Sequence, residues 1–269
     1  MKRLLIAGFG DLGRRLCSRV DPSRWEVHAL RRSPAEPESA VVFHAADLTR
    51  RDTLKAVPTT FDAVIYQATP AERTPEAYRA IYLQGMENVL EHVNCEQLIM
   101  VSSTAVYGQN DGQWVDEDSM TEPERFNGRI LLDAEALACQ HGGQIVRFSG
   151  IYGPGRDMLI RRLRSGQAKC AASVVQWTNR IHADDAARVL AHVLEQRDLG
   201  PVICATDEAP SPRCEVLDWL AEQLDCPRPE RVNDTQAGAG KRVSNARLKA
   251  SGFEFTYPDY RSGYQGMLQ

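Results

Sequence analysis

Leu4-Leu5-Ile6-Ala7-Gly8-Phe9-Gly10-Asp11-Leu12-Gly13 stands at the start of the chain. A short apolar run enters a Gly-x-Gly-x-x-Gly turn and leaves it with Leu12, Leu16 and Val20 at helical spacing. Between a strand and a helix, each glycine has a mechanical reading. Gly8 permits a tight turn, Gly10 lets the backbone approach a pyrophosphate, and Gly13 lets the helix pack against the strand. The N–H groups and dipole at the helix start, from Asp11 and Leu12 onward, would then hold the phosphate charge. A plain strand-to-helix turn is the competing reading, and the rest of the chain decides between them.

Composition narrows the choice. The chain has 269 residues, 43% of them hydrophobic and 25% charged, with a net charge of −4. That is the make-up of a globular protein, long enough for one large domain or for a core domain with a smaller appendage, not of a disordered or membrane-spanning chain. A negative balance gives no general attraction to nucleic acid. The first strand begins at the third residue with no charged-then-apolar leader before it, so a cytoplasmic location is expected, with no membrane partner. Seven scattered cysteines, without Cys-x-x-Cys or a Cys/His cluster, read as reduced and buried, and no metal site is expected.

Taken in order, Glu26–Leu30 reads as a second strand ending at Arg31-Arg32-Ser33. About twenty residues past the glycines, an acidic residue would bind a ribose hydroxyl; two arginines stand there instead. A guanidinium fork suits a 2′-phosphate, which favours NADP over NAD, while a solvated basic loop is the alternative. A third strand, 41–46, runs into Asp47-Leu48, where Asp47 either bonds an adenine amino group or caps a helix over Arg50–Val57. The apolar run Phe61–Ala68 predicts a fourth strand covered on both faces, ending at Ala68-Thr69. A helix over Pro75–Val93 and a strand over Leu98–Ser103 follow. Later come a strand at Gln144–Phe148, helices at Met158–Arg164, Ala186–Glu195 and Cys214–Leu224, a strand at Pro201–Ala205 and a loop over Pro227–Gly240. The tail carries Leu248, Phe253, Phe255, Tyr257 and Tyr260, too aromatic to hang free.

Strands alternating with helices at this rhythm predict an α/β fold: a doubly wound parallel sheet of the Rossmann kind, with a small C-terminal substrate-binding portion. The expected core is residues 1–150, with 183–205 returning to it; residues 151–182 and 206–269 form the smaller portion. Gly8–Gly13, Arg31, Arg32, Asp47, Leu48, Ala68 and Thr69 all fall at carboxyl ends of strands, where such sheets bind ligands.

With these motifs in place, the chain resembles the extended, or atypical, short-chain dehydrogenase/reductase family, which includes NAD-dependent epimerases and dehydratases of nucleotide sugars. The likeness rests on the glycine turn, Asp47-Leu48, Tyr82–Leu90, Ser102-Ser103-Thr104-Ala105-Val106-Tyr107-Gly108, Arg147–Pro154, Ile181-His182-Ala183-Asp184-Asp185 and Leu248-x-x-x-Gly252-Phe253. In that family a Tyr-x-x-x-Lys pair moves the proton, the lysine lowering the tyrosine pKa. Glu135 matches the Glu that usually follows the Lys by four residues, a register that puts Asn127 at the Tyr position and Leu131 at the Lys position. Shifting the register does not restore the pair, because no Tyr lies between Tyr107 and Tyr152 and no Lys between Lys55 and Lys169.

The resemblance implies that Ser103 orients a substrate oxygen, followed by Thr104. Asn127 has hydrogen bonds to offer but no proton near neutral pH. Tyr82 and Tyr78 read as core rings or relocated acids; Tyr107 reads as packing. Arg147, Tyr152, Arg156, Asn179 and Arg180 fall in segments that line the substrate cleft in relatives. Their arginines suit either an anionic small-molecule substrate or solvated salt bridges. His182 reads as a helix-entry residue, and Asp133 and Glu135 as a solvated or dimer-facing edge. In relatives the helices near Pro75–Val93 and Arg125–His141 often pair across a homodimer. Two functions follow: an NADP-dependent oxidoreductase or epimerase with a non-standard proton donor, or a non-catalytic protein that senses NADP(H) and signals to a partner.

Overall fold

The computed structural model describes residues 1–32, 41–234 and 238–268. Seven strands form one parallel sheet: β1 (Lys2–Ala7), β2 (Trp25–Arg31), β3 (Val41–Ala45), β4 (Thr60–Tyr66), β5 (Asn94–Ser103), β6 (Gln144–Phe148) and β7 (Val202–Ala205). Their order across the sheet is β7-β6-β5-β4-β1-β2-β3. β1 lies between β2 and β4, so the chain winds outward one way through β3 and then returns to the other side of β1. That reversal opens a crevice at the carboxyl ends of β1 and β4, where such sheets take ligands. Leu4, Leu5, Ile6 and Ala7 are completely buried, as a strand covered on both faces requires.

The chain divides into two compact units. The first comprises Met1–Val106, Thr121–Arg147 and Ala187–Ile203. It holds α1 (Asp11–Cys17), α2 (residues 75–92) and α3 (Phe126–Gln140). The first helix is shorter than its apolar spacing predicts. It ends at Cys17, and Val20 is buried beyond it. The segment after Asp47 is a 3₁₀ helix, Arg51–Ala56, rather than an α-helix. Thr74 caps α2, accepting from the Ala77 N–H at 3.2 Å, with Pro75 at the first turn. Ala80–Gly85 in its middle is a π turn. The buried Tyr66 hydroxyl donates to the Ile81 carbonyl there, and a Cβ on Gly85 would come within 2.8 Å of that hydroxyl.

The second unit comprises Tyr107–Met120, Phe148–Ala186 and Cys204–Gln269. Short strand pairs organise it: Gly150–Tyr152 runs parallel to Arg180–His182, Asp111–Val115 to Gly240–Val243, and Lys169–Ala171 to Glu230–Val232. The last two pairs place strands inside and beyond the expected loop 227–240; its residues 235–237 lie outside the described residues, as do Ser33 and Gln269. Tyr152, Ile160, Leu217, Leu220, Tyr260 and Tyr264 form the core of this unit, so the aromatic tail is structural. Cys170 and Cys214 are joined in a disulfide, which corrects the expectation of seven reduced cysteines. Their separation of 44 residues hid a Cα–Cα distance of 5.5 Å. No helix of the described residues is long and apolar enough to cross a membrane.

A second correction concerns Glu135 and Arg147. Glu135 is not on a solvated edge: the Arg147 guanidinium grips it through Nη2 at 2.6 Å and Nε at 3.1 Å, and the Ser102 hydroxyl donates to it. Both side chains are under 10% exposed. Arg147 is therefore engaged within the first unit instead of lining a substrate cleft. A carboxylate can be buried in this way only because the bidentate partner and the hydroxyl replace its water. Removing one partner strands the other, so Arg147→Met should lower the unfolding free energy by about 3–5 kcal/mol. The double variant Glu135→Leu/Arg147→Met should lose less than Arg147→Met alone, as read by denaturant titration.

Candidate functional site

The first unit carries a cavity of about 260 Å³ at the crevice. Gly8, Phe9 and Gly10 from the glycine turn line it, with Leu30, Arg31 and Arg32 at the end of β2, Ala46, Asp47 and Leu48 after β3, Ala68 and Thr69 after β4, and Ile81 from the π turn. Four strand ends thus converge on one space. Leu12 and Gly13 sit buried just behind the turn, and Asp11 accepts from the Arg15 guanidinium at 3.0 Å.

The three glycines have different reasons to be there. Gly8 has φ +92°, and a Cβ on it would lie 2.3 Å from the Ala68 Cα. A Cβ on Gly13 would meet the Gln67 amide at 2.6 Å and the Phe9 ring at 3.0 Å. The fold therefore demands both. Gly10 is unlike them: its φ is −123°, and a Cβ there would meet nothing within 4 Å among the described residues. Among those residues nothing needs a glycine at position 10, whereas a pyrophosphate drawn against the backbone would. The residues present fit a dinucleotide.

The glycine turn is pinned from both sides. Gly8 and Phe9 N–H groups donate to the Leu30 carbonyl at 3.2 and 2.9 Å, and the Gln67 amide donates to the Gly8 carbonyl at 3.4 Å. The sequence places Gln67 at the crevice end of the fourth strand, and the structure turns its buried amide onto the glycine turn. Asp47 does not cap the 3₁₀ helix, whose cap is Arg50. Its carboxylate accepts from the Thr49 N–H at 3.0 Å and the Thr49 hydroxyl at 2.8 Å. Burial opposes its ionisation, but those bonds and the charges of Arg32 and Arg50 outweigh it and hold its pKa below the usual carboxylate value. Asp47 is thus an anionic acceptor at the cavity wall, beside the basic pair at the end of β2.

Ser103 closes β5, and its Oγ accepts from the Ala105 N–H at 3.2 Å, with Thr104 buried next to it. Asn127 and Leu131 are both buried on α3. Tyr82 is a packed ring, 5.5 Å from Tyr78, which in turn stands edge-on to Phe126. Burial, aided by Tyr78, pushes the Tyr82 phenol up to about 12. That is opposite to the shift a catalytic tyrosine needs. Tyr107 donates to the Asp116 carbonyl at 2.7 Å, a packing role.

In the second unit, Tyr152, Arg156, Asn179 and Arg180 line one cavity of about 180 Å³, together with Arg213 and Tyr264, which the sequence did not indicate. Asn179 is held rigidly: its amide donates to the Lys241 carbonyl and its oxygen accepts from the Val243 N–H, both at 2.8 Å. His182 is a buried helix-entry residue whose Nδ1 accepts from the Asp184 N–H at 3.2 Å. Among the described residues no group of three or more His, Cys, Asp or Glu side chains is placed to hold a metal.

The different reasons for the glycines separate two substitutions. Gly8→Ala should cost well over 1 kcal/mol, through both the positive φ and the clash with Ala68. Gly10→Ala should change stability by less than about 1 kcal/mol, since it loses only cap preference. Thermal or denaturant unfolding of the two variants would show the difference.

The family model described as the NAD dependent epimerase/dehydratase family matches residues 4–203. None of the curated proteins matches the chain. Among solved structures, a Methylobacillus flagellatus protein assigned as an NAD-dependent epimerase/dehydratase is 37% identical, with 99% of this chain and 97% of that one covered and a TM-score of 0.82. A Silicibacter pomeroyi protein of unknown function is 26% identical, with 99% and 98% covered and a TM-score of 0.76. The human epimerase family protein SDR39U1 (isoform 2), solved with NADPH, is 19% identical over 99% of both chains with a TM-score of 0.79, a likeness of fold. With its glycine turn, its sheet order and a match over most of its length, the chain belongs to the NAD dependent epimerase/dehydratase family.

Proposed function

We propose that this protein binds NADP(H) in the cavity of its first unit and uses it for redox or epimerase chemistry on a polar carbonyl compound with an anionic group, such as a nucleotide sugar. One observation carries the cofactor reading: Arg31 and Arg32 line the cavity where an acidic residue would select NAD. Two guanidinium groups supply forked donors to a 2′-phosphate, and Asp47 offers an acceptor on the same wall. Gly8, Gly10 and the turn behind them would hold the pyrophosphate. When bound, the nicotinamide supplies or accepts a hydride. Ser103, at the end of β5, would orient the substrate carbonyl by donating its hydroxyl to the carbonyl oxygen.

Proton transfer in this reading runs through Ser103 and water. Asn127 and Leu131 offer no titrating group, and Tyr82 stays protonated at neutral pH. The same replacement favours a second reading: a protein that binds NADP(H) without turnover and passes its redox state to a partner.

Calorimetric titration with NADPH and NADH tests the cofactor. The wild type should prefer NADPH, and Arg31→Ala/Arg32→Ala should weaken NADPH by at least about tenfold while leaving NADH nearly unchanged. Equal affinities in the wild type would overturn the NADP assignment. Turnover separates the two functions. NADPH oxidation on a panel of nucleotide sugars and polar carbonyls, lost in Ser103→Ala, supports the enzyme. Tight binding with no oxidation, and a partner captured in one redox state only, supports the sensor.

A further inference from the structure

The disulfide of the second unit lies between partners that suit its opened form better than its closed one. Cys170 sits in the strand Lys169–Ala171 and is 2% exposed, whereas Cys214 is half-buried in the first turn of the helix Arg213–Gln223. The adjoining strand, Glu230–Val232, sets Arg231 opposite Cys170. One guanidinium nitrogen, Nη1, donates to the Cys170 sulfur, and Nη2 donates to Asp218, one turn beyond Cys214 on the helix. A disulfide sulfur is a weak, neutral acceptor; a guanidinium beside it gains most when that sulfur is a thiolate. The Cys214 sulfur lies 3.3 Å from the Ala171 carbonyl, which can accept from a thiol and gains nothing from a disulfide. Each sulfur thus has a partner that only the opened pair uses. The other five cysteines form no disulfide, so the bond is not part of a framework like those that hold small secreted domains together.

We propose that Cys170–Cys214 is a reversible exchange site for small thiols and their disulfides, with Cys214 the sulfur attacked and Cys170 the leaving thiolate. The thiolate of a glutathione-like molecule bonds to the less buried Cys214 sulfur. The Cys170–Cys214 bond breaks, and its electron pair leaves on Cys170 beside the Arg231 guanidinium; a leaving thiolate that is stabilised leaves faster. A second small thiolate then bonds to the sulfur of the first, and Cys214 departs. The pair has gained two electrons, and the two small thiols have become one disulfide. Of the two protons that those thiols gave up, one returns on Cys214, directed at the Ala171 carbonyl, and the other passes to solvent. The reverse sequence restores the bond. When closed, the bond ties the strand to the helix start, where Arg213 and Val216 line the cavity of this unit. The state of the small-thiol pool therefore sets how firmly that wall is held.

The test uses the full chain, with glutathione and its disulfide as the probe. The protein is equilibrated over a series of glutathione ratios, thiols are alkylated, and the peptides carrying Cys170 and Cys214 are weighed. The wild type should pass from bonded to open within the series. Arg231→Gln should move the exchange constant at least about tenfold toward the disulfide, about 30 mV, and Arg231→Lys should move it less. Asp218→Asn breaks the same strand-to-helix bridge but leaves the guanidinium on the sulfur, and should not move it toward the disulfide. A bond that persists across the series, or an Arg231→Gln midpoint equal to that of the wild type, overturns the site. Equal shifts in Arg231→Gln and Asp218→Asn overturn it too, since they would make Arg231 a structural bridge alone. The mixed disulfide trapped at early times should be on Cys214; one on Cys170 overturns the assignment of the attacked sulfur. Amide hydrogen exchange over residues 213–217 should quicken at least about tenfold on opening, and an unchanged rate overturns the hold on the cavity wall. None of these readings involves NADP(H), so they stand or fall apart from the cofactor assignment.

Discussion

Ala68 closes on the backbone of Gly8 so tightly that no side chain fits between them. Everything at the carboxyl rim of the first unit follows from that approach. It sets the exit direction of the chain from β1, and the Leu30 carbonyl then fixes the next two N–H groups. Because β1 and β4 are adjacent at the sheet's reversal, the same contact brings Thr69 into the wall that Arg31 and Asp47 complete. The cavity is a product of strand order as much as of any side chain.

On α3, Asn127 and Leu131 are buried, and neither carries a titrating group. Glu135, further along the same helix, is bound by Arg147 and Ser102. That ion pair is an internal support for the join between α3 and the sheet. It leaves Ser103, next to Ser102, with its hydroxyl at the strand end. Ser102 and Ser103 are consecutive, so their side chains point to opposite faces of β5, as a strand's period of two dictates.

Much of this was legible in the sequence because the cues were local. The continuous apolar runs of β1 and β4, the glycine spacing and the basic pair after β2 each state their structure within ten residues. Gln144–Phe148 and Met158–Arg164 have the bounds that the pattern gave. What was not legible depended on distant partners. A charged Glu135 on a helix looks solvated until a guanidinium twelve residues away is seen to point at it. Cys170 and Cys214 look like scattered thiols until their segments meet. Asp47 was a case of two local rules in competition, and the Asx turn with Thr49 prevailed over the helix cap.

The π turn at Ala80–Gly85 has a consequence for how this chain tolerates changes in length. A π turn holds one residue more than an α-helix needs, so it is in effect a single-residue insertion kept within a helix. Deleting one residue within it would close the turn and leave the flanking turns in register, whereas a deletion elsewhere in α2 would rotate one flank by about 100° against the other. Ile81, on the cavity wall, and the carbonyl it offers the Tyr66 hydroxyl both lie in this turn. A one-residue deletion should therefore be borne better within Ala80–Gly85 than in the rest of α2.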